Sequence, residues 1–477
     1  MTQRGIWAAC ALLLGGCATP PPYHPPALDL PVSWKIEAPF RVGAPDDNAA
    51  KGPWWQRFGD PQLDKLQQQA LAASPTLAAA QARLAQARAV VSSSSAGLAP
   101  QVSLGGRAAR QKISANRPLS NYNTPNFSTV QNDLLPALSV NYEVDLSGRL
   151  HSAIAGAQAS AQQSAADLEN TRLLVTAELA SDYVNLRELD IELDVVQRSI
   201  ALQRRALELV TSRRDLGAAS GLDVAQQQAL LDNTLAQVDV LQKQRTQFEH
   251  AIAALTGTAA PSFELAVELH DLTPPAVPVG VPSDVLERRP DVASAERAMA
   301  AANAQIGVAQ AAFYPSIVLG PTNLGYESTS LSNLFEVPSL VWSLGVTATQ
   351  VLFDGGRRNA GVDFARAGYD LTAANYRRVV LTAMQEVEDG ITGLAALERA
   401  NTQAQTATAS AQRVLEMATA RYEGGATTYF DVIAAQQSVL ATQRQLAQLQ
   451  GQRLLTAVFL VKALGGDWQR QEKLAAQ

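Results

Sequence analysis

The 477-residue chain has two cysteines, four histidines and only 6% aromatic residues. Both cysteines, Cys10 and Cys17, stand near its beginning, so no disulfide framework is available to staple the rest. His24, His151, His250 and His270 are scattered, without a cysteine partner and without the H-x-x-x-H or carboxylate spacing that would suggest zinc. No glycine-rich loop carries a lysine for phosphate. Catalytic apparatus is not visible, and the expectation is a protein that is not an enzyme and takes no cofactor. A net charge of -6 supplies no basic patch, which argues against a nucleic-acid partner. The scarcity of large aromatic side chains suits long helices with thin seams better than a thick globular core.

The N-terminal apolar run, Ile6 to Leu14, is too short to span a bilayer and, following Arg4, reads as a secretory signal. It ends in Leu14, Gly15, Gly16 and Cys17, the L-x-x-C pattern of bacterial lipoprotein signals. That pattern predicts a signal peptide over 1–16 and a covalent lipid on Cys17, the first residue of the mature chain. Stability must then come from packing and assembly. Ala18, in place of an aspartate, favours sorting to the outer membrane. Residues 17–53 read as a lipidated, proline-rich leader.

What the chain has in abundance is internal repetition. "RRDLGAASGLDVAQQQ" (Arg213 to Gln228) aligns with "RYEGGATTYFDVIAAQQ" (Arg421 to Gln437), placing Gly217 on Gly425, Ser220 on Thr428 and Asp223 on Asp431. Ser74 to Leu104 lies over Arg289 to Leu319, with Pro75 on Pro290 and Pro100 on Pro315. Tyr142 to Leu150 resembles Thr349 to Asn359, and Ala253 to Gly257 resembles Lys462 to Gly466. The reading is a tandem duplication: a first repeat over 54–260, a linker over 261–282, a second repeat over 283–466 and a tail over 467–477.

Each half reads as helix, strand pair, very long helix, turn and long helix. The first helix starts at Pro75 or Pro290, where a missing N–H costs nothing, and stops before Pro100 or Pro315. The very long helices are predicted near Leu150 to Leu216 and Arg357 to Glu423. Leu179, Leu186, Leu193, Ile200 and Leu207 recur every seven residues, interleaved with Val175, Leu189, Val196 and Val210. Val224, Leu231 and Val238, and likewise Val432, Val439 and Leu446, keep that step on the returning helices. These are coiled-coil seams, and about 65 helical residues reach roughly 100 Å.

Between the helices the period changes to two. Leu138, Val140, Tyr142, Val144 and Leu146 alternate with Ser139, Asn141, Glu143 and Asp145. Leu340, Trp342, Leu344, Val346 and Ala348 alternate with Ser343, Gly345, Thr347 and Thr349. Strands of roughly ten residues with one apolar and one polar face fit the lipid-out, lumen-in pattern of an outer-membrane barrel, with Tyr142, Val144, Trp342 and Leu344 toward lipid. Four strands cannot close a barrel, since the smallest has about eight, so the chain must oligomerise. Three copies supply twelve. Ser114 to Asp133 and Ser328 to Ser339 read as polar loops suited to the cell exterior.

The repeated turns have a local explanation. Gly217 and Gly425 suit the left-handed residue that ends a helix, and Arg213 and Arg421 complement the helix dipole. Ser220 with Asp223, and Thr428 with Asp431, fit capping boxes. Leu222, Tyr422 and Phe430 are not explained by turn formation.

The lipoprotein pattern, the duplicated unit, the four strands, the twin R-x-x-x-G-x-x-[ST]-x-x-D-V turns and "LFDGGRR" (Leu352 to Arg358) together resemble the outer membrane factors of tripartite efflux and export systems, the TolC and OprM-like channels. The resemblance covers the mature chain beyond its leader. It implies a mainly α protein with a membrane β-barrel, in which a homotrimer builds a 12-stranded β-barrel joined to a 12-helix periplasmic α-barrel. It also implies a periplasmic adaptor as partner at the tube's tip and, indirectly, an inner-membrane pump. By position in the family, Phe430 and Leu222 are candidates for an apolar constriction and Tyr422 for a contact that holds helices shut. Some members carry an acid and an arginine one turn further in. Here that stretch is Ala434 to Gln437, "AAQQ", so hydrophobic or hydrogen-bonded closure is expected instead of an ionic lock.

Three functions fit. The expected one is a passive exit duct for small molecules. The exit duct of a protein secretion system and a poreless coiled-coil lipoprotein remain the alternatives.

Overall fold

The structure, a computed structural model, describes residues 23, 53–114, 129–269, 272–274 and 289–466. Its helices are α1 (Pro61–Ala73), α2 (Pro75–Ala96), α3 (Arg149–Asp215), α4 (Gly221–Leu255), α5 (Pro290–Ala311), α6 (Arg357–Glu423) and α7 (Tyr429–Ala463). Its strands are β1 (Gln101–Ile113), β2 (Thr129–Val144), β3 (Ser316–Tyr326), β4 (Leu340–Ser343) and β5 (Val346–Thr349). The duplication is visible in element lengths: α2 and α5 have 22 residues each, α3 and α6 have 67, and α4 and α7 have 35. No helix among the described residues is long and apolar enough to cross a membrane.

The chain divides into two compact units. The first contains Leu84–Ser164 and Ala295–Tyr376, and with them the whole sheet. Its strands run antiparallel in the order β1-β2-β3-β4, and β5 pairs with the same strand as β4. The fourth strand, expected to run unbroken through Leu340 to Thr349, is interrupted at Leu344 and Gly345. The cause is a bulge in β3. Val140 faces Thr322 while Tyr142 faces Leu319, so β3 carries one extra residue there. Pro321 has no N–H to give to a ladder, and the Gly320 N–H reaches across the gap to Gly345 O at 2.7 Å. Gly320 has φ +136, and a Cβ on it would lie 2.8 Å from Val140 O.

The expected first exterior loop is shorter than predicted. Thr129 to Asp133 belong to β2, paired with Ile113 to Ala109, and 115–128 lie outside the described residues. The second loop is less polar than its serines suggest, since Leu331, Phe335 and Val337 are exposed and Phe335 meets Tyr326 edge-on at 5.4 Å.

The second unit contains Ala165–Ser294 and Arg377–Gln477, with α1 and the turn that precedes it. Asp60 caps α1 by accepting from the Gln62 and Leu63 amides at 2.8 and 3.1 Å, and it also accepts from the buried Tyr183 hydroxyl. The predicted seam of α3 is buried from Val175 to Val210, with Leu207 half-covered. One pinning network ties the chain after α4 to the helices. Asp190 receives Arg187 at 2.9 Å and Arg245 at 2.6 Å, and those arginines donate onward to Ala266 O and Leu265 O.

Candidate functional site

Two regions hold the residues singled out from the sequence, the sheet of the first unit and the helical turns of the second. Across the sheet, Leu104 faces Leu138, Leu138 faces Leu324, and Leu324 faces Trp342. This row is apolar and open to solvent, with Leu104 80% and Trp342 73% exposed. Beyond the bulge the same face continues as Tyr142, Leu319 and Val346, then Val144, Ile317 and Ala348. Leu344 is exposed in the gap between β4 and β5.

The neighbouring row, pointing to the opposite face, is wholly polar. Ser103 faces Ser139, Ser139 faces Asn323, and Asn323 faces Ser343. The Ser103 and Ser139 hydroxyls lie 2.8 Å apart, and Asn323 Nδ2 donates to Ser343 Oγ at 3.2 Å. Arg107 and Asp133 pair at 2.5 Å on this face, and Glu143 accepts two bonds from Arg149 at the start of α3. One face is therefore suited to hydrocarbon and the other to water, while β1 on one side and β4 with β5 on the other have a single neighbour among the described residues.

Both turns close α-helices in the same way. Gly217 and Gly425 have φ +77 and +73, Ala218 N–H reaches Arg213 O at 2.7 Å, and Ala426 N–H reaches Arg421 O at 2.8 Å. The capping boxes are not equivalent. Ser220 and Asp223 form the reciprocal pair as expected, at 3.1 and 2.9 Å. Thr428 makes no side-chain cap bond. Asp431 is held instead by the Thr427 hydroxyl, which takes the oxygen that a box would turn back toward residue 428.

Of the three side chains not needed for the turn, Leu222 and Phe430 are 66% and 60% exposed. Tyr422 is half-buried, its ring capped by the Arg213 guanidinium at 5.0 Å and set 4.9 Å from the Tyr429 ring. Arg421, the counterpart of Arg213, is exposed. Tyr429 was not evident from the sequence, yet it is 4% exposed and donates to Gln227 Oε1, and burial pushes its hydroxyl up to about 12. The signal lay in the alignment. Gly221 stands where the second copy has Tyr429, a point at which the two turns part company. Cys17 lies outside the described residues.

Residues 66–258 and 281–466 match the family model of the outer membrane efflux protein. The chain belongs to that family. This efflux protein is 32% identical over 470 residues to the pyoverdine export outer membrane protein OpmQ of Pseudomonas aeruginosa, covering 98% of each chain. It is 30% identical over 475 residues to the toluene efflux pump outer membrane protein TtgC of Pseudomonas putida, covering 98% of this chain and 96% of that one. The solved outer-membrane channel OprN shares its fold with a TM-score of 0.86 at 27% identity, over 95% of this chain and 100% of that one. The efflux protein is accordingly an outer membrane channel, an exit duct of an efflux system that reaches from the outer membrane into the periplasm, in a family of ducts.

Proposed function

We propose that three copies of the chain join their sheets edge to edge into a 12-stranded barrel, continued by a 12-helix tube, through which small molecules leave the cell. The observation that carries this is the sheet. It has two exposed faces of opposite character, and each of its edges has one neighbour among the described residues. Edge strands of that kind call for a partner, and twelve strands leave a lumen wider than the side-chain-filled case of about eight. Lipid on Cys17 anchors the chain to the membrane, and no further cofactor is needed for a passive duct. A periplasmic adaptor docks at the turns around Gly217 and Gly425, linking the duct indirectly to an inner-membrane pump. The exposed Leu222 and Phe430, with Tyr422 behind them, form an apolar closure at that end.

The relatives named for pyoverdine export and toluene efflux support a small-molecule cargo. The test is a deletion strain read for drug susceptibility and for its secreted proteins, together with conductance of the purified protein in a planar bilayer. Hypersensitivity with an unchanged secretome and measurable current are expected. A loss confined to protein secretion, or a protein that carries no current, overturns the proposal.

A further inference from the structure

Between α3, α6, α7 and the segment Leu272, Thr273 and Pro274 the second unit holds a partly open cavity of about 290 Å³, at the small end of ligand pockets. Its polar lining is not used up by the fold. Asn401 is 4% exposed and its Oδ1 has no hydrogen-bond partner. Glu188 Oε1, Arg453 Nε and Arg187 Nε are likewise buried and unpartnered. Buried polar atoms are ordinarily paired, so four around one cavity need an explanation. The nearby charges do not supply it. Arg453 spends its terminal nitrogen on Glu398, and Arg444 is committed to Glu192 at 2.6 Å. The backbone makes room for the carboxyl, since a Cβ at Gly451 would lie 2.6 Å from Glu188 Cγ. Val184, Ile191 and Leu454 supply an aliphatic part of the wall, beside the polar Thr273, Gln405 and Gln450.

We propose that this cavity binds a small zwitterion with an aliphatic side chain, as a neutral amino acid has. Its ammonium donates to Glu188 Oε1 and Asn401 Oδ1, its carboxylate accepts from the guanidinium donors Arg453 Nε and Arg187 Nε, and its side chain packs on Val184, Ile191 and Leu454. A simple cation would face the Arg453 and Arg187 guanidinium groups and leave their donors unused. A simple anion would face Glu188. Only a molecule with both charges satisfies both the two acceptors and the two guanidinium donors. Burial and the neighbouring Glu192 push the Glu188 carboxyl up to about 7, against the pull of Arg444, so binding strengthens as pH rises through neutrality. The proposal is independent of the export reading, because every lining residue belongs to the second unit of one chain.

The test uses the full-length protein purified in detergent at pH 8, titrated calorimetrically with L-leucine, with 4-methylpentanoate and with 3-methylbutylamine. Saturable binding of L-leucine alone is expected. It should weaken at least about tenfold in Asn401→Ala and in Arg453→Met, each losing one charge-assisted bond. Arg453 is partly exposed, so its variant keeps the test open where Asn401→Ala fails to assemble. Absence of saturable leucine binding, meaning a cavity filled with water only, overturns the proposal. So do equal binding of the amine or the acid alone, and unchanged leucine affinity in a correctly assembled variant.

Discussion

Tyr429 donates its hydroxyl to Gln227 Oε1 at 2.9 Å, and Gln227 Nε2 in turn donates to Gln203 O at 3.2 Å. A single relay thereby joins α7, α4 and α3 just behind the two turns. Gln227 is fully buried, so Tyr429→Phe strands its oxygen and should cost about 1–3 kcal/mol. Tyr422 makes the contrast, because its own hydroxyl has no partner. Tyr422→Phe keeps the ring between Arg213 and Tyr429 and should stay within about 0.5 kcal/mol of the parent. Thermal midpoints of the two variants, with amide exchange over 221–235 and 425–435, distinguish them. Equal losses would contradict the relay.

The unequal caps make a second prediction. Ser220→Ala removes half of a reciprocal pair and should destabilise the start of α4 by about 1 kcal/mol. Thr428→Ala should cost distinctly less, because that hydroxyl caps nothing. Thr427→Ala, which frees Asp431, should exceed it. Local exchange rates in the first turns of α4 and α7 are the measurement, and a Thr428 effect as large as that of Ser220 would show the asymmetry to be wrong.

For the sheet, the two faces predict opposite tolerance. Leu104→Lys and Trp342→Lys place charge on the apolar row and should each cost about 2–4 kcal/mol at mid-membrane depth. Ser139→Lys, on the polar row, should assemble and mainly alter conductance. Gly325→Val should abolish assembly, since a Cβ there would lie 2.4 Å from Pro136 O and 2.7 Å from Ala137 Cβ. The readout is the amount of folded oligomer in outer membrane fractions.

These sites also show what the sequence could and could not reveal. The seam from Val175 to Val210 was legible because one side-chain period governs a whole helix, and its leucines and valines, apart from the half-covered Leu207, are buried where the heptads place them. The faces of β2 were legible for the same reason. Three features were not. The bulge at Gly320 and Pro321 depends on where β3 sits between two neighbours, which no single strand records. The Thr427 bond to Asp431 shows two adjacent hydroxyls competing for one carboxylate, and a motif aligned on Thr428 cannot choose between them. Glu188, Asn401 and Arg453 stand on separate helices, and only packing brings them to one cavity.

The acidic residues of α3 predict a pH dependence. Burial raises Asp182, beside Glu178, to about 6, and Glu188, beside Glu192, to about 7. Both folded values lie above the ordinary carboxylate values of 3.8 and 4.5, so the folded state holds protons that the unfolded chain has released. The stability they contribute is complete below about pH 4 and is lost as pH rises toward 7. Glu188→Gln should therefore raise the thermal midpoint by several degrees at pH 8, leave it nearly unchanged at pH 4, and flatten the profile between. A midpoint that falls at pH 8 would contradict this.

The row of Ser103, Ser139, Asn323 and Ser343 has a last consequence for transport. Its side chains hydrogen-bond sideways to one another, so much of their bonding capacity is already spent along the wall. In the proposed duct such a surface is wettable without being adhesive. A passing solute meets hydroxyls that keep water continuous yet have few free donors to hold it, and friction rather than affinity sets how fast it leaves.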